Sequence, residues 1–302
     1  MFMTDISLTL SVPPERPVDP ALLDVLRLID SGMHALTRSY FVGGAMARDL
    51  ILWHAHGVRT GRLTQDIDLG VLIEEWDNFE VIKAHFKNSG RCDQDPKIGH
   101  RLLFRNPGNA FAIPVDLLPF GGIENPDCTI GWPPASEVIM TVAGFGEASL
   151  SAVHVQVDTD LIVPTASLPA QAVLKLIAWM DRGQRIDKDA TDFLLLISNY
   201  HSAGNEDRLY EVELELLAAA GYDLEIAGAM LLGKDAACLC SAPTAARLTV
   251  LFSNEHYHQR LLDQMIRQVL LGERDADAKR VADYLKHFCL GFDQALKEGA
   301  PD

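Results

Sequence analysis

Two aspartates, Asp66 and Asp68, interrupt an otherwise apolar run in the stretch RLTQDIDLGVLI, residues 62–73. Side chains on a strand alternate between faces, so both carboxylates project the same way, their Cα atoms about 6–7 Å apart. At an effective dielectric constant of ~20, two such charges repel by roughly 2–3 kcal/mol. A buried strand tolerates that repulsion only with a counterion. The donor type points to a hard divalent cation such as Mg²⁺, which binds one or two carboxylates together with substrate phosphates. A third acid, Asp116, lies between Val115 and Leu117 in IPVDLLPF, which reads as another buried strand. Three strand-borne carboxylates around two ions suit an in-line displacement at phosphorus. In that scheme Asp66 and Asp68 hold both ions, while Asp116 ligates the one beside the attacking hydroxyl and helps to deprotonate it. The plainer alternative is a pair of acids on the wet face of an edge strand.

Phosphate chemistry also needs a place for the anion. Gly43-Gly44 stands between a strand and a helix, where backbone N–H groups can approach a ligand and the helix N-terminus favours negative charge. A tight strand-to-helix turn is the equally common reading. Arg48, in the first turn of that helix, is either a phosphate contact or a surface charge. Further on, Lys175, Ala178 and Arg182 fall at i, i+3 and i+7 of a helix, one stripe with a small residue between two cations. That stripe suits a triphosphate lying along it. Asp189 and Asp192 share a face one turn apart and could orient Lys175 or the attacking group. The competing reading is ordinary i, i+4 surface pairing of Arg185 with Asp189 and of Lys188 with Asp192.

The elements that must carry these residues follow from periodicity and breakers. In DPALLDVLRLID, Asp19 is a helix N-cap and Pro20 suits the first helical position. SYFVGG (39–44) reads as a buried strand ending at the Gly pair, and AMARDLILWHAHG as the following helix, closed by Gly57. After the Asp66/Asp68 strand comes an amphipathic helix from about Glu75 to Lys87, then strands near HRLLF (100–104) and FAIPVDLLPF (111–120). Residues 121–135, rich in Gly and Pro, predict a loop, and three strand-like pieces follow around 136–145, 152–157 and 160–164. From Leu168 the pattern is helical throughout. The expected fold is α+β: strands and helices over residues 1–165, then an all-helical domain over 166–302.

Composition bounds the function classes. At 302 residues and 48% hydrophobic, the chain has room for two domains and a substantial core. No apolar run approaches the ~18 residues of a spanning helix. The start, MFMTDISLTLSVPPERP, carries Asp5 and lacks the basic region of a signal peptide, so it reads as a short arm or early strand. No membrane partner is expected. The cysteines Cys92, Cys128, Cys238, Cys240 and Cys289 show neither zinc nor disulfide spacing, as in a reduced, cytoplasmic chain. The net charge of −16 opposes a surface that attracts nucleic acid as a whole. One stretch runs against it: Lys83, Lys87, Arg91, Lys97, Arg101 and Arg105, opposed by Asp93 and Asp95. It reads either as a local phosphate-facing patch or as a solvated helix face and loop.

Taken in order, FVGGAMARD, TQDIDLGV and VDLLPF resemble the nucleotidyltransferase superfamily of polymerase-beta-like enzymes. Within it the chain is similar to the AbiEii/AbiGii-type toxin branch of type IV toxin–antitoxin systems. That branch carries Lys-x-x-Ala-x-x-x-Arg, matched by KLIAWMDR, and Arg-x-x-Lys-Asp-x-x-Asp, matched by RIDKDATD. The resemblance covers residues 40 to 192. It implies an N-terminal nucleotidyltransferase fold, a mixed sheet flanked by helices. It also implies Mg²⁺-dependent transfer of an NMP from an NTP to an acceptor hydroxyl. The implied catalytic residues are Asp66, Asp68, Asp116, Lys175, Asp189 and Asp192, with Asp66, Asp68 and Asp116 as metal ligands. The implied nucleotide contacts are Gly43, Gly44, Arg48, Lys175, Arg182 and Arg185. Acceptors open at this stage are an RNA 3′ end, a protein side chain or a cationic small molecule as in aminoglycoside nucleotidyltransferases, and a cognate antitoxin is an expected partner. A non-catalytic nucleotide-binding module of the same fold is the other class. Two departures stand out. Ala45 replaces the Ser or Thr often found beside the motif Gly, and the stretch from Gly44 to Asp66, which contains His54 and His56, is long.

Overall fold

The structure is a computed structural model and describes residues 9–61, 64–105, 111–134, 138–183, 186–267 and 274–299. A short strand β1 (Thr9–Ser11) precedes helix α1 (Pro20–Ala35). Asp19 sets that helix start: its carboxylate accepts the N–H groups of Ala21 and Leu22. Strand β2 (Tyr40–Gly43) is buried along its length and turns at the Gly pair into helix α2 (Gly44–Asp49), which continues as a π-helical stretch over Leu50–Ala55. Strand β3 (Ile67–Ile73), helix α3 (Trp76–Asn88) and strands β4 (Cys92–Gln94), β5 (Arg101–Phe104) and β6 (Ile113–Gly121) follow.

The Gly- and Pro-rich stretch expected to be a loop also contains β7 (Thr129–Gly131), which pairs with β8 (Ile139–Thr141) in a separate two-stranded sheet. The strand expected to reach residue 145 stops short. Gly144, at φ 86°, turns the chain into a helix, α4 (Phe145–Leu150), ahead of β9 (Val153–Asp158) and β10 (Leu161–Thr165). The main sheet has the order β1-β9-β10-β2-β3-β6-β5-β4. It is mixed: β2 and β3 are antiparallel, β3 and β6 parallel, β6 and β5 antiparallel.

Alternation divides the central strands into two faces. Ile67, Leu69, Val71 and Ile73 of β3 and Val115 and Leu117 of β6 are buried on one face, and α3 packs on β3 while α1 packs on α3 and β10. The other face is mixed. Phe41, Phe120 and Phe145 form a triad with ring centroids 5.8 to 6.0 Å apart, where α4 packs on β2 and β6. Toward the opposite ends of the same strands this face carries Asp68 and Asp116. The chain divides into two compact units, Met1–Ser167 and Leu168–Asp302.

The second unit is helical: α5 (Leu168–Arg182), α6 (Lys188–Asn199), α7 (Glu206–Glu211), α8 (Leu214–Ala219), α9 (Leu224–Leu239), α10 (Ala242–Ser253), α11 (Glu255–Arg267) and α12 (Arg274–Glu298). Helix α9 is apolar on nearly every side and accordingly buried, with α5, α6 and α12 packed around it. Asp223 caps it through the N–H groups of Glu225 and Ile226, and Arg280 of α12 grips the same carboxylate at 2.5 and 2.8 Å. Helices α9 and α12 approach to backbone contact. A Cβ on Gly291 would lie 1.9 Å from the Met230 carbonyl oxygen, and one on Gly233 would lie 2.0 Å from that of Phe288. The five cysteines are free thiols. Among the described residues no helix is long and apolar enough to cross a membrane.

Because backbone cannot give way as a side-chain tip can, Gly291→Ala is expected to push α12 off α9. The loss should be about 1–3 kcal/mol of stability, read as a lower urea midpoint with an unchanged slope.

Candidate active site

Backbone register sets the centre of the site. Gly43 of β2 pairs with Asp68 of β3, Asp68 with Asp116 of β6, and Asp116 with Arg101 of β5. Residues directly opposite in neighbouring strands share a face, so the two carboxylates and the guanidinium form one lateral row across the sheet. Asp66 stands one residue ahead of β3, rather than within the strand as its sequence suggests. Its carboxylate accepts the Thr64 hydroxyl.

Asp116 is not left to repel Asp68 alone. Arg101 Nε donates to Asp116 Oδ1 at 2.6 Å and Nη2 to Oδ2 at 2.7 Å, a bidentate charge-assisted pair. The hydrogen bond that it donates to Asp116, with the added charges of Asp116, Asp95 and Asp66, raises the Arg101 pKa further above its already high value. Its strand is anchored as well: the Leu117 N–H donates to the His100 carbonyl at 2.9 Å, and the His100 ring stacks on Trp132 at 5.0 Å. Asp116, expected from sequence to be a metal ligand, thus meets a guanidinium in the structure. Among the described residues, no three His, Cys, Asp or Glu side chains are grouped closely enough to hold a metal ion.

The turn at Gly44 is fitted to Asp68. Gly44 has φ +59°, and a Cβ there would lie 1.8 Å from Asp68 Oδ2. Gly43 is different: an added Cβ would meet only Phe41 at 3.5 Å and the Asp68 carbonyl oxygen at 3.7 Å. Arg48, expected at a phosphate or on the surface, is buried at 7% exposure. Its Nε and Nη2 donate to Asp49 Oδ1 at 2.9 and 2.8 Å. Asp49 Oδ2 in turn accepts the Thr64 N–H at 3.0 Å, so a chain of polar contacts runs from Arg48 through Asp49 and Thr64 to Asp66. His54 and His56 pack at the helix end: His54 Nδ1 lies 2.6 Å from the Arg16 carbonyl oxygen, and burial lowers the His56 pKa.

The basic stretch of residues 83–105 is largely neutralised. Lys83 pairs with Glu80 at 2.8 Å, Arg91 with Asp24 at 2.5 Å, Arg101 with Asp116, and Arg105 with Asp93 at 2.7 Å. Lys87 and Lys97 are exposed.

In the second unit the stripe on α5 is not a bare cationic track. Arg182 Nε and Nη2 donate to the two oxygens of Asp189 at 2.6 and 2.8 Å. Lys175 Nζ donates to Asp192 at 2.5 Å and lies 3.5 Å from Asp189. Asp189 is wholly buried, so these contacts between α5 and α6 are not surface pairs. Burial alone would raise the Asp189 pKa, but the hydrogen bond from Arg182 and the charges of Lys175 and Arg182 outweigh it and hold the carboxyl below its ordinary 3.8. Arg185 lies outside the described residues. Sequence reasoning missed Asp49 and the role of Arg101. The signal for the latter was an arginine on a short predicted strand, in alternation with Leu102 and Phe104, which are buried on the other face.

The family described as "Nucleotidyl transferase AbiEii toxin, Type IV TA system" matches residues 34–296. No curated protein matches the chain. Among solved structures, an antigenic nucleotidyltransferase-like protein from Paracoccidioides brasiliensis is similar over 67% of this chain and 93% of its own, at 15% identity and a TM-score of 0.40. ANT(2″)-Ia in complex with adenylyl-2″-tobramycin is similar over 65% and 96%, at 17% identity and a TM-score of 0.34. The CdnC:HORMA-deltaN complex of E. coli MS115-1 is similar over 97% and 95%, at 12% identity and a TM-score of 0.34.

Gly43→Ala is expected to change stability by less than about 1 kcal/mol, whereas Gly44→Ala, which meets both the positive φ and the Asp68 carboxylate, should lose about 1–3 kcal/mol. Parallel urea titrations of the two variants check the contrast. Asp189 titrates lower in the folded than in the unfolded chain. Its contribution to stability is therefore complete above the unfolded value of 3.8 and disappears as pH falls through the lower folded value. Circular-dichroism melts between neutral pH and pH ~2.5 should show the helical signal losing stability below that point, and Asp189→Asn should flatten the decline.

Proposed function

The chain belongs to the AbiEii nucleotidyltransferase family, and on that premise we propose that it moves a nucleoside monophosphate from an NTP to an acceptor hydroxyl with Mg²⁺. We read this as the activity of a type IV toxin whose partner is a cognate antitoxin. The observation that carries the reading is the in-register pairing of Asp68 with Asp116 beside the Gly44 turn, a position closed to any side chain. The acceptor oxygen forms a bond to the α-phosphorus, the bond from that phosphorus to the β-phosphate oxygen breaks, and pyrophosphate leaves.

The donors fit a hard divalent ion, being carboxylate oxygens without exception. Asp66 and Asp68 would hold it, with Asp116 in register beside Asp68. When bound, such an ion neutralises phosphate charge and polarises the attacking oxygen. The chain's own residues do the rest. The Gly43-Gly44 turn lets the phosphates approach backbone N–H groups, Thr64 and the Arg48–Asp49 pair hold Asp66, and Asp116 accepts the acceptor's hydroxyl proton. Lys175, Arg182 and Arg185, with Asp189 and Asp192 orienting the cations, are assigned to phosphate binding on the family motifs.

An RNA 3′ end, such as a tRNA acceptor stem, is the first acceptor class. The pairing of Lys83, Arg91, Arg101 and Arg105 with acids, in a chain of net charge −16, favours a second reading in which the acceptor is a cationic small molecule. Incubation with each α-labelled NTP, Mg²⁺ and total RNA, protein extract or aminoglycosides separates these. Label at RNA 3′ ends is expected, reduced at least ~100-fold by Asp68→Asn. Label on the aminoglycoside selects the second reading. No transfer to any acceptor, with nucleotide binding unaltered in an Asp66→Ala/Asp68→Ala variant, discards both.

A further inference from the structure

In a site built for two ions, each of the three carboxylates would serve as a ligand, and the third acid would face the second ion. Here the third acid faces Arg101. The row Asp68, Asp116, Arg101 is set by backbone pairing across β3, β6 and β5, so the guanidinium reaches Asp116 without any loop having to fold over it. Both Asp116 oxygens accept from it, at 2.6 and 2.7 Å, with the two side chains only 27% and 15% exposed. Resting on the nucleotidyl-transfer reading above, we infer that Arg101 stands in for a second cation, so that the site takes one divalent ion on Asp66 and Asp68.

A second ion at Asp116 would have to displace a bidentate pair and then sit against the displaced guanidinium. The strand fixes the backbone from which Arg101 projects. Its N–H donates to the Ile98 carbonyl at 3.1 Å, and its neighbour His100 is pinned by the Leu117 N–H and by the Trp132 ring. Nor does the pairing remove Asp116 from the chemistry. Each carboxylate oxygen has two acceptor sites, and Arg101 takes one on each, leaving the other to receive the acceptor hydroxyl. Arg101 is thus a positioning residue, acting on the reaction through Asp116.

Crystals of the full chain grown with MnCl₂ and each α,β-methylene NTP analogue allow the ions to be counted by manganese anomalous scattering. The expected result is one Mn²⁺ per chain, on Asp66 and Asp68, with Arg101 still on Asp116. In solution, paramagnetic-resonance counting of bound Mn²⁺ should give one ion for the wild type and for Arg101→Lys, and two for Arg101→Gln. Two ions in the wild type with Asp116 as a ligand would overturn the inference and leave nucleotidyl transfer standing, as would a single ion in Arg101→Gln. A bound analogue with no Mn²⁺ on any of the three acids would instead remove the metal-dependent reading, and this inference with it.

Discussion

Like charge held in register is the constraint on which the first unit is organised. Asp68 and Asp116 oppose each other on adjacent parallel strands whose remaining positions are apolar. Such a pair is tolerated only with positive charge beside it. The fold supplies one such charge as Arg101, on the next strand outward, and on the other side leaves Gly44 without a side chain. Each neighbour of the pair is therefore specified: a cation at one flank, a glycine too close for any side chain at the other, and strand cores that keep the register from slipping.

The second unit applies the same principle at greater depth. Asp189 is buried completely, and the cost of removing its charge from water is offset by two hydrogen bonds from Arg182 and the nearby ammonium of Lys175. The cations are in turn held by their acids. The result is a cluster of cations and acids across α5 and α6, with Lys175 held between two carboxylates. A lysine so placed is pre-oriented, and its position costs no side-chain ordering when an anionic group meets it.

Much of this was legible from residue types and spacing. The N-cap at Asp19, the strand ending at Gly43, the Asp68 and Asp116 strands and the change to helices after Leu168 all follow from local chemistry and periodicity. The failures are equally physical. The turn into α4 depends on Gly144 adopting a positive φ, which a glycine permits and does not require. Strand β7 is held by pairing with β8, a contact that residues 121–135 cannot announce by themselves. The motif cations were recognisable as a helical stripe and Asp189 and Asp192 as groups that could orient Lys175, but the pairing of Arg182 with Asp189 was not, because it depends on how α5 and α6 pack.

By itself, then, the sequence determined that Asp68 and Asp116 would each stand within an apolar strand and that a glycine turn would precede the first, while its motifs carried the resemblance to nucleotidyl-transferring folds. The first two properties depend on side-chain alternation and backbone permissiveness, which are local. Only the tertiary structure decided that Asp68 lies opposite Asp116, that Arg101 and not another acid completes their row, and that Arg48 is buried on Asp49. These depend on which strands become neighbours and in what register, and register is chosen by the burial of whole strand faces rather than by any one residue.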